Sequence, residues 1–282
     1  MTDEDSMTDG DFGRERARRG ELLRTAGVYL VTEESLSAGR RSEDDVEAAL
    51  DAGVRVIQVR EKDGSARRAL EIARAVRRLT LRHGALLIVN DRIDIAMAAE
   101  ADGVHLGQAD FPLADARRLL GQTALIGLSI TDVAQLAAPD AALADYLGVG
   151  AVFPTGSKSD ATLTGLALLT AARAFVDPGR ALTRGLSAAR RTAVDAGRAS
   201  TGGLAAGRAP IVAIGGMTAE NTGRAVLAGA DVVAVISAIA GVADPRRAAA
   251  ALLEAVHVAG AALLEATSRP TETNLLPTET AR

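Results

Sequence analysis

The chain writes almost all of its positive charge as arginine: of 32 basic residues, only Lys62 and Lys158 are lysines. Lys62 ends the run Gln58-Val59-Arg60-Glu61-Lys62, in which an extended backbone turns Gln58, Arg60 and Lys62 to one side. Arg60, Lys62 and Lys158 together suit an anion that carries several charges. Asp91 and Asp110 offer hard carboxylate oxygens, which Mg2+ takes alongside phosphate oxygens of a substrate. Gly215-Gly216 and Val235-Ile236-Ser237 offer backbone N–H groups of the kind that hold a phosphate. The inventory reads as two anion sites, one metal-assisted and one for a monophosphate. Two phosphorylated small molecules, one of them a diphosphate, are the expected substrates.

Each piece also has a plainer reading. A loop aspartate often caps a helix, glycine pairs serve tight turns, and His105 inside a strand can be a satisfied polar residue of a barrel. The case rests on where these residues fall together. Eight short apolar, β-branched segments are legible: 28–32 (VYLVT), 54–60 (VRVIQVR), 86–91 (LLIVND), 103–107 (GVHLG), 125–129 (LIGLS), 146–150 (YLGVG), 211–216 (IVAIGG) and 232–237 (VVAVIS). Ala-, Leu- and Arg-rich stretches with helical character lie between most of them. Short apolar strands alternating with helices predict a parallel sheet buried on both faces, and eight such units predict a (β/α)8 TIM barrel. The competing doubly wound fold would place a G-x-G-x-x-G turn after the first strand, and VYLVT is not followed by one. Nearly all the polar candidates fall at the C-terminal ends of the predicted strands, where barrels of this class carry their active sites.

Strand spacing breaks once, before the seventh strand, which predicts an insertion at about 178–208. Residues 1–26 read as a polar N-terminal extension, 27–256 as the catalytic domain, and 257–282 as a helix end followed by a disordered tail. Ala52-Gly53, Ala101-Asp102, Ala144-Asp145 and Ala230-Asp231 each lead into a strand, which suggests a structural role at the far end of the barrel.

Composition narrows the classes of function. With 32 basic and 36 acidic residues the formal net charge is −4, which is not the basic balance of a nucleic-acid binder. Aromatic residues make up 2% with no Trp, so no stacking platform for bases is expected. Cysteine is absent, which excludes thiolate nucleophiles and thiolate metal sites. No run of about 18 residues is both apolar and free of charge, so no membrane partner is expected. The first residues lack the basic and apolar regions of a secretory leader, and a cytoplasmic location is expected. Whether the chain forms a homo-oligomer is left open.

The strand-end motifs VIQVREKD, LIVNDRIDIAMAAEADGVHLGQAD, YLGVGAVFPTGSKSDA, IVAIGGMTAEN and GADVVAVISAI resemble those of the thiamine-phosphate synthase (thiamine-phosphate pyrophosphorylase) family, in order over about 27–256. The resemblance implies a (β/α)8, Mg2+-dependent enzyme. Such an enzyme couples hydroxymethylpyrimidine diphosphate with a thiazole phosphate, releasing pyrophosphate, and CO2 where the acceptor is the carboxylated thiazole. It implies that Gln58, Arg60, Lys62, Asn90, Ser129 and Lys158 bind the pyrimidine diphosphate. It also implies that Asp91 and Asp110 hold Mg2+, and that Thr155, Gly156, Ser157, Gly216, Ile236 and Ser237 bind the thiazole phosphate. The chain reads Thr155-Gly156-Ser157-Lys158 where the family usually has proline in place of the glycine, which should loosen that loop. A thiazole tautomerase on the same barrel, a non-catalytic thiamine-phosphate-binding regulator and a phosphate-handling barrel enzyme of amino-acid biosynthesis stay open as alternatives.

Overall fold

A computed structural model describes residues 8–62, 64–156, 163–177 and 209–268. Its centre is a closed barrel of eight parallel strands in sequence order: β1 (Val28–Val31), β2 (Val56–Val59), β3 (Leu86–Asn90), β4 (Gly103–Leu106), β5 (Leu125–Ile130), β6 (Tyr146–Val149), β7 (Ile211–Ile214) and β8 (Val232–Val235). The barrel closes by parallel pairing of β1 with β8, Val28 opposite Val233. The predicted TIM barrel is therefore the observed fold. The stretch 178–208 lies outside the described residues, as do 269–282 and 1–7.

Strand residues are buried on both faces, which is why these segments are short apolar runs. Along β1, Val28 and Leu30 pack outward with the helices, while Tyr29 and Val31 point into the barrel with Val56, Ile88, Tyr146 and Val212. The covering helices include α2 (Ser42–Ala52), α3 (Ala66–His83), α4 (Ile93–Ala98), α5 (Leu113–Leu120), α6 (Pro139–Leu143), α7 (Gly165–Val176), α8 (Thr222–Ala228), α9 (Ser237–Ala240) and α10 (Pro245–Ser268). Helix α3 shows the local logic. Ser65 caps it by accepting the Arg68 N–H at 3.2 Å, and Gly84 ends it in a left-handed turn at φ 59°. Its buried stripe, Ala69, Ile72, Ala73, Val76, Leu79 and Thr80, has helical spacing. The window Pro245–Glu265 of α10 is long and apolar enough to cross a membrane by length and composition. In the fold this helix lies against α2 and α8, with Ala249, Leu252 and Ala259 buried.

The N-terminal ends of the strands are tied by a repeated device. Asp102 accepts the Leu87 N–H through Oδ2 at 2.9 Å and pairs with Arg77 of α3 at 2.8 Å. Asp145 accepts the Ile126 N–H at 2.8 Å and pairs with Arg117 of α5 at 2.5 Å. Asp231 accepts the Ile211 N–H at 2.9 Å and pairs with Arg173 of α7. Each carboxylate thus joins an even strand, the odd strand before it and the helix that leads into that odd strand.

Within 1–26, read from sequence as a polar extension, lies a 17-residue helix, α1 (Asp9–Thr25), that covers this end of the barrel. Leu23 is fully buried beside the inward-facing strand residues. Arg16 reaches Asp145 at 3.9 Å and Arg19 reaches Asp102 at 3.4 Å. The helix looks polar because much of its contact is with aspartates.

Candidate active site

At the opposite end, the C-terminal ends of the strands enclose one cavity of about 590 Å3, a volume suited to small-molecule ligands. β2 contributes Gln58, and the residues after it contribute Arg60 and Lys62. β3 ends in Asn90 and Asp91, the turn after β4 supplies Asp110, and β5 supplies Ser129. Thr155 follows β6, Gly216 follows β7, and Ile236 and Ser237 follow β8. All of these line the cavity. Gly156 is described and exposed but does not line it. Ser157 and Lys158 lie outside the described residues.

Arg60 is held in place on two sides. Its N–H donates to Thr32 Oγ1 at 3.1 Å, and its guanidinium pairs with the largely buried Glu33. Asp91 follows β3 in a left-handed conformation, φ 59°, which an aspartate tolerates better than most side chains. Its N–H donates to the His105 carbonyl at 2.9 Å. Asp110 is anchored by the Gly107 N–H, which donates to Oδ2 at 2.6 Å.

The two carboxyl groups act on each other in the same cavity. Burial, and then the neighbouring Asp110, push the Asp91 carboxyl up to about 6, against the opposite pull of Lys62 and Arg60. A pair of hard oxygen donors whose repulsion Lys62 and Arg60 offset only in part fits a divalent cation that also takes substrate phosphate oxygens. The proton and the cation then compete. We expect Mg2+ affinity to be level above pH 6 and to weaken by about tenfold per pH unit below it. Titration of MgCl2 at pH 5 and pH 7 checks this, and equal affinity at both would remove Asp91 from the cation site.

The glycines after β7 have a steric reason. Gly216 has φ 63°, and a Cβ there would lie 2.9 Å from Phe153 Cβ. A larger residue would push the loop after β7 off the loop after β6. Asn221 braces the same turn, with its amide donating to the Gly216 carbonyl at 2.7 Å and accepting the Thr218 N–H at 2.9 Å.

Sequence reading did not single out the floor of the cavity. Tyr29, His105 and Tyr146 line it. Burial holds both phenols well above the ordinary tyrosine range. Enclosure lowers the His105 imidazole to about 4 even with Asp110 nearby, so it is neutral at pH 7. A signal was present in Gly127 and Gly148, glycines in strand interiors that mark a close approach. A Cβ on Gly127 would clash with the Tyr146 ring, and one on Gly148 would lie 2.6 Å from His105 Cε1. Gln108, whose amide donates to the Ser129 carbonyl at 2.7 Å, and Gln135 also line the wall.

Proteins similar to this chain in sequence include several thiamine-phosphate synthases. The family model described as Thiamine monophosphate synthase matches residues 28–183. The thiamine-phosphate synthase of Haloquadratum walsbyi is 42% identical over 82% of this chain and 92% of its own length. That of Haloarcula marismortui is 44% identical over 82% of this chain and 96% of its own. The solved thiamine phosphate pyrophosphorylase from Pyrococcus furiosus superposes with a TM-score of 0.65 at 32% identity, covering 84% of this chain and 98% of that one. With barrel and overall sequence in agreement, the chain belongs to the thiamine-phosphate synthase family, transferases of thiamine biosynthesis.

Proposed function

We propose that the chain couples hydroxymethylpyrimidine diphosphate to a thiazole phosphate in the strand-end cavity by a dissociative route. The observation that carries this is the convergence of Gln58, Arg60, Lys62, Asp91 and Asp110 on one cavity that also holds Gly216, Ile236 and Ser237. Gln58, Asn90 and Ser129 orient the pyrimidine. Arg60 and Lys62, with Lys158 from outside the described residues, draw the diphosphate and stabilise charge as it departs. Asp91 and Asp110 would hold Mg2+, which when bound supplies positive charge against the diphosphate oxygens. The bond from the pyrimidine methylene to the diphosphate oxygen breaks, and pyrophosphate leaves with the electron pair. The methylene carbon becomes cation-like, stabilised by donation from the ring. The thiazole nitrogen then gives its lone pair to form the new C–N bond, and CO2 follows where the acceptor is carboxylated. Thr155, Gly216, Ile236 and Ser237 of the cavity, with Gly156 next along the loop and Ser157 from outside the described residues, hold the thiazole phosphate so that this nitrogen faces the methylene, and positioning carries much of the rate. No strong general base is required, consistent with a neutral His105. A cytoplasmic setting suits these charged substrates.

Incubation with both substrates and MgCl2, following thiamine phosphate and pyrophosphate together, tests the reading. Both products should appear in equal amounts. Isomerised thiazole without coupling would instead indicate a tautomerase, and bound thiamine phosphate without turnover a regulator. Lys62→Arg keeps the charge but replaces a compact ammonium with a wide planar fork. It should lower kcat by about tenfold, and an unchanged kcat would separate Lys62 from the departing diphosphate.

A further inference from the structure

Five side chains form one hydrogen-bonded line across the floor of the cavity. Gln58 Nε2 donates to Tyr29 Oη at 2.7 Å. Tyr29 Oη lies 3.2 Å from Tyr146 Oη, and Tyr146 Oη lies 3.2 Å from His105 Nδ1. His105 Nε2 lies 2.9 Å from Ser129 Oγ. The line joins β2, β1, β6, β4 and β5, and it uses both tyrosines of the sequence. Room for it depends on Gly127 and Gly148, where any Cβ would strike the His105 or Tyr146 ring. Its two ends, Gln58 and Ser129, both face the cavity.

Such a line has one direction, because each hydroxyl owns one hydrogen and a neutral imidazole owns one N–H. With the Gln58 amide as donor, Tyr29 gives its hydrogen to Tyr146, and Tyr146 gives its own to His105 Nδ1. The imidazole hydrogen then sits on Nε2 and is given to Ser129 Oγ. Ser129 is left with its own O–H to offer a ligand, and Gln58 with its carbonyl oxygen. No proton is transferred; the line only fixes which way each group points.

We propose that Tyr29, Tyr146 and His105 are positioning residues that set Ser129 as a hydrogen-bond donor and Gln58 as an acceptor toward the ligand. That polarity matches an aminopyrimidine, which carries an N–H donor and ring-nitrogen acceptors. This part rests on the pyrimidine reading under Proposed function. A ring with the opposite pattern, a keto group and ring N–H in place of amino group and bare nitrogen, would meet donor against donor and be rejected.

The test uses the full chain labelled with 15N-histidine, which carries only His83, His105 and His257. Long-range proton–nitrogen correlation at pH 7 should show His105 with hydrogen on Nε2. In Tyr29→Phe, which keeps the ring and cuts the line, His105 should shift toward the Nδ1–H form. The KM for the aminopyrimidine diphosphate should rise by about tenfold, the loss of one oriented hydrogen bond. The KM for the thiazole phosphate and the binding of inorganic pyrophosphate should not change. Wild-type His105 with hydrogen on Nδ1 would overturn the proposal, as would a Tyr29→Phe variant with neither tautomer nor pyrimidine KM altered. If no coupled product forms at all, the functional reading fails, while the wild-type tautomer still decides the direction of the line.

Discussion

Asp91→Asn and Asp110→Asn each lower turnover by about 10²–10³-fold, a loss of several kcal/mol of charge stabilisation around the departing diphosphate. Asparagine is the informative replacement. It accepts the left-handed backbone at position 91, and at position 110 its amide oxygen can still take the Gly107 N–H. The fold therefore survives while the carboxylate is lost. Stability moves the other way. An Asp91 carboxyl raised from 3.8 to about 6 is a group the folded state prefers protonated. Its favourable contribution is present below about pH 4 and lost as pH rises through about 6. At pH 7 without Mg2+ the charged pair is a burden that Asp91→Asn removes. The variant should thus melt at or above the wild-type temperature while turning over far more slowly. Steady-state rates, thermal unfolding without metal and MgCl2 titration check this, and wild-type turnover in both variants would end the carboxylate assignment.

At the other end of the barrel, Asp145→Ala costs about 3–5 kcal/mol of stability, the range for stripping one partner from a buried ion pair. Asp145 is 2% exposed. Its loss leaves the Arg117 guanidinium and the Ile126 N–H without this carboxylate and removes the anchor of Arg16 in α1. Asp145→Asn keeps an acceptor for the N–H and should lose less. The urea midpoint of each variant measures the difference. A loss below about 1 kcal/mol for Asp145→Ala would put the contact in the class of surface pairs and show that α1 docks without its Arg16 anchor, through Leu23 and the Arg19–Asp102 pair.

What could be read in advance follows from burial. Strands covered on both faces have to be apolar and short, so all eight were legible, with ends shifted by one or two residues. Polar side chains at the ends of apolar strands are costly without a task, so Gln58, Arg60, Asp91 and Ser129 stood out, and they meet in one cavity. Helix α1 was not legible because its arginines find their partners far away in sequence, at Asp102 and Asp145. The tyrosine–histidine line was missed for a similar reason. Each member alone reads as a satisfied polar group, and the evidence of contact sits in Gly127 and Gly148, residues with no side chain to notice.

The three aspartate ties also imply an order of assembly. Their ion pairs join residues 25, 28 and 58 positions apart. Short chain closures cost little entropy and form early. The corresponding place before β2 is occupied by Arg55, which donates to the Leu50 and Val54 carbonyls of its own segment. The β1–β8 seam, Val28 to Val233, spans most of the chain. Three strand pairs, β3–β4, β5–β6 and β7–β8, thus behave as prefabricated staves. β1 has a near neighbour in β2, Tyr29 opposite Val56, so the costly closure in chain entropy is its other edge, the seam to β8.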